Sequence, residues 1–270
     1  MAASVYWQTF GPDSGQGSDL VLIHGWGMNG AVWQHLIPQL ENHYRIHVVD
    51  MPGYGHSTSV AAGTVEAMAE ALLHGAPEEA VWLGWSLGGL VAKQAALLAP
   101  ARISKLITVA SSPCFAAGDD WRGIKPQVLR DFQQQLSDDF ALTVERFMAL
   151  QAMGSPTARQ DIKQLRQAVL SRPQPSPDAL AQGLEILAEV DLRTQLAQIR
   201  QPWLRLYGRL DGLVPAKVAA DMDHLVPDSP KVMFTKASHA PFISHPEDFI
   251  SALHAFIEAA QSEGVATSPV

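Results

Sequence analysis

Short apolar runs punctuate the chain, and between most of them apolar positions recur at helical spacing. Leu20-Val21-Leu22-Ile23 is the first run, Arg45 to Asp50 the second and Val81 to Gly84 the third. Lys105 to Ala110, Trp203 to Gly208 and Lys231 to Thr235 follow. Runs this short, closed by glycine, proline or polar residues, predict buried strands. Val32 to Leu40, Val65 to His74, Leu87 to Leu98 and Val214 to Leu225 predict helices between them. Strands alternating with helices argue a mainly parallel sheet covered on both faces, an α/β fold. Such sheets carry their sites at the carboxyl ends of strands. His24, Asp50, Ser86 and Asp211 all lie just past strand runs.

One long stretch breaks the alternation. From about Pro113 to Leu192 only helical patterns are found: Pro126 to Met153, Thr157 to Leu170 and Asp178 to Val190. Gly154, Pro156 and Pro173-Gln174-Pro175-Ser176-Pro177 punctuate them. An all-helical insertion that leaves the sheet on the site side predicts a cap over that site. The expected organisation is a core of residues 1–112 and 193–260 and a cap of residues 113–192. The small, polar residues 261–270 are expected to be a disordered tail.

Composition narrows the class. The chain has 270 residues, 47% of them hydrophobic, enough for one domain with a sizeable insertion. A formal net charge of −8 argues against a general nucleic-acid role. The single cysteine, Cys114, excludes an internal disulfide and a cysteine-built metal site. The histidines show no ligand spacing, so neither a metal nor a cofactor is expected. Met1 to Thr9 carries no basic segment followed by a long apolar one. No apolar stretch approaches the roughly 20 residues of a membrane span. The expected setting is the cytoplasm, and the expected state a monomer.

The chemistry is concentrated in Gly84-Trp85-Ser86-Leu87-Gly88, between a strand run and a helical stretch. A serine at a sharp strand-to-helix turn is the nucleophile elbow of an α/β-hydrolase fold. A serine hydroxyl needs a base to take its proton, and the base is best a histidine oriented by a carboxylate. In this fold the chain order is serine, acid, histidine. Asp211, on the turn after the Trp203–Gly208 run, is the candidate acid. His224 falls inside a helical segment, and His245 precedes Pro246 as a turn residue. His239, in the loop after the last strand run, is the candidate base. An oxyanion needs donors. The expected ones are the backbone N–H groups of Leu87, after the serine, and of Trp26 in His24-Gly25-Trp26-Gly27, a segment that alone reads equally well as a plain glycine turn. Asp50-Met51-Pro52-Gly53-Tyr54-Gly55-His56-Ser57 reads as a structural turn without chemistry of its own.

Taken together, these segments resemble the α/β-hydrolases, and more closely the pimeloyl-[acyl-carrier protein] methyl ester esterase family of biotin biosynthesis. The resemblance rests on Leu22 to Asn29, Trp82 to Ala92, Val109 to Phe115, Phe132 to Phe140, Leu206-Tyr207-Gly208 and Ala240 to Pro246. It runs from about Val5 to Phe256 and includes the cap. It implies a seven-carbon diacid carried as a thioester on acyl-carrier protein, with a methyl ester at its far end. Ser86 would attack that ester, release methanol, and be freed by water that His239 activates. By the same resemblance Trp26, Leu87, Phe147 and Gln151 shape the acyl site. Phe140, Val144, Phe147 and Gln151 do fall at helical spacing on one face, although Phe140 and Val144 read more simply as core.

Local charge bears on an acidic partner. Between Trp121 and Arg172 lie eight basic and five acidic residues, in a chain that is otherwise strongly acidic. Arg159, Lys163 and Arg166 share one helix face by spacing. Such a face is ordinarily only solvated. The resemblance assigns Arg146, Arg159 and Lys163 to carrier contact. Leu142 stands where the family pattern has another basic residue, so Arg166 is the candidate replacement. Three other readings stay open: a broad short-chain carboxylesterase, a carbon–carbon bond hydrolase, and a small-molecule receptor on a hydrolase scaffold.

Overall fold

The structure, a computed structural model, describes residues 4–12 and 17–259, apart from the side chains of residues 137, 140 and 141. The expected tail, residues 261–270, lies outside them.

Among the described residues seven strands form one sheet: β1 (Trp7–Phe10), β2 (Ser18–Ile23), β3 (Tyr44–Val49), β4 (Ala80–Trp85), β5 (Ile103–Val109), β6 (Trp203–Gly208) and β7 (Lys231–Phe234). Their order is β1-β3-β2-β4-β5-β6-β7; only β1 runs antiparallel to its neighbour. Every residue of β4 and β6 is buried. Two-sided cover explains why these strands read as unbroken apolar runs. β1 gave no such signal, because it is a four-residue edge strand with polar Gln8 and Thr9 at its centre.

The core helices are α1 (Ile37–Leu40), α2 (Val65–Gly75), α3 (Leu87–Leu98), α8 (Lys217–Leu225), α9 (Pro241–Ser244) and α10 (Pro246–Ala259). Side chains alternate across a strand, and β5 shows which helix covers which face. The Thr108 hydroxyl accepts from Trp203 Nε1, and Lys93 Nζ of α3 lies 5.9 Å from the same ring. Lys105 reaches the last carbonyls of α10 on the other face. Two expected helices are shorter than predicted. The stretch from Val32 to Leu40 divides into a tight turn, Gly30–Trp33, and α1. Asn29 caps the turn, and Pro38 cannot donate within a continuous helix. The helix expected from Val214 starts at Lys217, because Asp211 binds the preceding amides.

Between β5 and β6 the chain forms α4 (Pro126–Asp138), α5 (Phe140–Ala152), α6 (Ala158–Leu170) and α7 (Pro177–Glu189). The stretch expected to be helical from Pro126 to Met153 breaks at Asp139. That residue is extended (φ −150°, ψ 95°), and its carboxylate accepts from the Leu142 N–H at 3.0 Å, starting α5 afresh. The excursion leaves and returns side by side: the Leu192 N–H donates to the Pro113 carbonyl at 2.9 Å, and Cys114 pairs with Asp191. Among the described residues no helix is long and apolar enough to cross a membrane.

Candidate active site

Ser86 lies between β4 and α3 with φ +56° and ψ −118°, a conformation that costs a non-glycine residue energy. Neighbouring backbones cross there so closely that only glycine fits. A Cβ on Gly84 would sit 2.2 Å from the Gly88 carbonyl oxygen, and one on Gly88 would sit 2.4 Å from that of His24. The turn projects the Ser86 hydroxyl toward the loop after β7, where His239 waits.

The two ends of the His239 ring have different partners. Nδ1 lies 2.7 Å from Asp211 Oδ2, and Nε2 lies 2.9 Å from Ser86 Oγ. A carboxylate accepts only, so Nδ1 holds the proton and Nε2 is left to accept from the serine. Asp211 is fixed in turn, since its Oδ1 accepts from the N–H groups of Leu213 at 2.8 Å and Val214 at 3.0 Å. The His239 backbone is tied twice: its carbonyl accepts from Trp85 Nε1 at 2.8 Å, and its N–H donates to the Gln151 carbonyl of α5 at 3.0 Å. His239 is wholly buried and Ser86 only 2% exposed. The excursion touches this relay at the Gln151 carbonyl.

Two buried backbone donors flank the serine. Leu87 is the first residue of α3, and Trp26 follows β2. Neither N–H has a hydrogen-bond partner among the described residues. Free donors in a dry site are what a developing oxyanion requires. The loop bearing Trp26 is held by His24. Its Nε2 accepts from the Met51 N–H at 3.0 Å, so its Nδ1 donates to the Gly25 carbonyl at 2.8 Å. Burial pushes His24 down to about 4, which keeps the ring neutral for this work.

The sequence assigned no role to Asp50, and the structure shows one. Its buried carboxylate accepts from the N–H groups of Gly30 at 2.7 Å and His56 at 2.8 Å, and from Arg172 Nη1 at 2.7 Å. Arg172 also donates to Gln8 Oε1 at 2.8 Å. It comes from the segment after α6, so it latches the excursion to the sheet. This corrects the picture of the basic stretch: Arg172 is buried in an ion pair. Arg122 is likewise engaged, with Asp221. Arg166 lies 3.9 Å from Glu145 on the surface. Among the described residues Arg146, Arg159 and Lys163 have no ion-pair partner.

The candidate acyl wall comes together at Trp26. Its ring meets Phe147 edge-on, with centroids 4.6 Å apart, and its Nε1 donates to the Leu180 carbonyl at 2.9 Å. Val144 packs near Gly27, and Gln151 is buried with its Oε1 unpartnered. The Phe140 side chain lies outside the described ones. On the outer side of Phe147 stands Phe132, with centroids 5.6 Å apart. Beyond it a largely apolar cavity of about 330 Å³ opens between α4 and α5, lined by Val128, Phe132, Arg146, Leu150 and Met153. Phe147 thus touches both the Trp26 ring and the Phe132 ring that lines this cavity.

A fourth histidine follows Asp211 in the chain. His254 on α10 shares a hydrogen bond between its Nδ1 and the Tyr44 hydroxyl, 2.7 Å apart. With His43 and Glu258 it brings three possible metal ligands within 4.8 Å of one another. Chain spacing could not disclose that grouping, because His43 belongs to the distant turn before β3. Tyr44, and not Ser86, is its hydrogen-bond partner.

The family description of the alpha/beta hydrolase fold matches residues 20–246. Solved structures agree on architecture: an esterase from Exiguobacterium antarcticum superposes with TM-score 0.82 over 94% of this chain and 95% of its own, at 22% identity. The chain is an α/β-hydrolase. A pimeloyl-[acyl-carrier protein] methyl ester esterase of Photobacterium profundum is 69% identical over 258 residues, 96% of this chain and 100% of that protein. The like-named protein of Aliivibrio salmonicida is 61% identical over 96% of this chain and 97% of its own length. Within its class the chain belongs to the pimeloyl-[acyl-carrier protein] methyl ester esterases, a family of carboxylic ester hydrolases.

Proposed function

We propose that the chain hydrolyses the methyl ester of a pimeloyl group carried on acyl-carrier protein, yielding the free carboxylate and methanol. The observation that carries the chemistry is the relay from Ser86 Oγ through His239 to Asp211, at 2.9 and 2.7 Å. Ser86 Oγ attacks the ester carbonyl while its proton passes to His239 Nε2. The carbonyl oxygen of the ester gains the negative charge and meets the N–H groups of Trp26 and Leu87. Collapse of this adduct breaks the bond to methoxide, which takes the proton from His239 and leaves as methanol. Water then gives a proton to His239 and attacks the acyl-enzyme, and the proton returns to Ser86. Asp211 keeps the ring in one tautomer and stabilises its charged form.

Trp26, Val144 and Phe147 offer apolar surface to a methylene chain, and the free Gln151 amide oxygen offers one polar contact. No metal or cofactor enters these steps. The carrier is acidic, and Arg146, Arg159, Lys163 and Arg166 supply the complementary face; Leu142 there is exposed and uncharged. We place this activity in the cytoplasm and assign it to the monomer. Turnover of three substrates tests the reading: the carrier-bound methyl ester, a short p-nitrophenyl ester and a carbon–carbon cleavage substrate. A large preference in kcat/KM for the first supports it. Equal or better use of the second would make the chain a general carboxylesterase; preference for the third, or turnover of none, would reject ester hydrolysis as its task.

A further inference from the structure

Behind the elbow lies a buried line of polar groups that the mechanism above does not use. Lys93 of α3 has no exposed surface, a rare state for lysine. Its Nζ donates to Ser111 Oγ at 2.9 Å, and the Ser111 hydroxyl donates to the Ser86 carbonyl at 2.9 Å. That carbonyl also accepts from the Gly89 N–H at 2.9 Å, and the Ser86 N–H donates to the Val109 carbonyl at 2.9 Å. The backbone of Ser86 is thereby gripped from β5.

The site is built with little tolerance. Among the described residues only Ser86 and Ala110, the neighbour of Ser111, are non-glycine residues at positive φ, +56° and +45°. The two turns end adjacent strands, and Ser111 bridges them. A Cβ on Gly89 would come within 2.4 Å of Ser111 Oγ, so the hydroxyl occupies space that this glycine leaves.

Ser111 has one proton to give. An ammonium at Lys93 can only donate, which obliges Ser111 to direct its proton at the Ser86 carbonyl. A neutral amine can accept that proton and release the carbonyl. Burial pushes Lys93 down to about 7, and no charged neighbour contributes to the shift. The Trp203 ring lies 5.9 Å from Nζ. On β6, Arg205 is paired with Asp223 at 2.9 Å, and burial pushes the Tyr207 phenol up to about 12. On β5, Lys105 points to the opposite face.

We propose that Lys93 and Ser111 are positioning residues: they fix the Ser86 carbonyl and so hold the strained turn that aims the Ser86 hydroxyl at His239. The proposal rests on Ser86 being the nucleophile. The tests are Lys93→Met, which keeps length without charge, Ser111→Ala, which opens little space, and the double variant. Each single variant should lower kcat on a p-nitrophenyl ester about 3- to 10-fold, the worth of one hydrogen bond, with KM unchanged. The double variant should be no slower than the worse single one. Lys93→Met should also remove one ionisation near neutrality from the pH profile of kcat.

Wild-type kcat and pH profile in both single variants would overturn the proposal and leave Lys93 as core filling. A change confined to KM would also overturn it. Should Lys93→Met fail to fold, Ser111→Ala alone decides by its kcat. Ser86→Ala is assayed in parallel. Its retention of activity would refute the nucleophile itself, an outcome distinct from unaltered kinetics in the relay variants.

Discussion

Ser86 is restricted by the groups around it: the crossing glycine backbones and the His239 ring. Ser86→Ala should lower ester hydrolysis by on the order of 10⁴-fold or more while leaving the thermal unfolding transition in place. Near-normal turnover would remove Ser86 from the chemistry. Its neighbour His24 makes a second, pH-dependent prediction. Unfolded, this histidine binds a proton below about 6.5; folded, it does so only below about 4. Between those values the unfolded chain holds more protons, so this contribution to stability falls as pH falls. Urea unfolding between pH 7 and pH 4.5 should show the loss, and His24→Gln should flatten it. An unchanged slope would show that His24 is not what the pH acts on. That Ser86, Asp211 and His239 come together was legible in the sequence, since each stands beside turn chemistry at a strand end in the order the fold demands. The task of His24 was not, because it depends on the Met51 amide from another loop.

The helices between β5 and β6 are attached to the core by many hydrogen bonds, among them those of Trp26 to Leu180, Asn29 to Ala168 and Val169, and Tyr54 to Ala179. Arg172 carries the most charge-dependent of these attachments, bonding Asp50 across 122 residues of sequence. No local pattern in either segment announces such a pair; Arg172 looks like one more charge in a basic stretch. Removing one partner of a buried ion pair strands the other. Arg172→Met should therefore destabilise the protein by about 3 kcal/mol or more in urea unfolding, with Asp50→Asn similar in direction. Loss below about 1 kcal/mol for both would mean that the latch is dispensable. The break at Asp139 was in principle readable, since an aspartate opening a fresh helical period is an N-cap signal. Two successive amphipathic helices joined by a single residue nevertheless look continuous to any pattern count.

At the scale of the molecule, the parallel strands were legible because burial on both faces leaves unbroken apolar runs, and β1 was not because an edge strand needs no such run. The same logic applies to charge. The chain carries −8 overall, yet the stretch between Trp121 and Arg172, within the helical excursion, holds eight basic and five acidic residues. The buried pair at Arg172 and the engaged Arg122 reduce that excess. Among the described residues Lys125, Arg130, Arg146, Arg159 and Lys163 have no ion-pair partner; Arg146, Arg159 and Lys163 lie on α5 and α6, and Arg146 also borders the groove beside Phe132. Reversing these three charges together should cut kcat/KM for the carrier-bound methyl ester about 10- to 100-fold, the effect of a few kcal/mol of lost interaction. The deficit should shrink as salt is added, because long-range attraction between exposed charges is screened. Turnover of a p-nitrophenyl ester should hardly change, since the Ser86 relay and its walls are untouched. A parallel fall on both substrates would show damage to the helices themselves. No change on either would place the carrier elsewhere on the molecule and return the basic face to the role of a solvated surface.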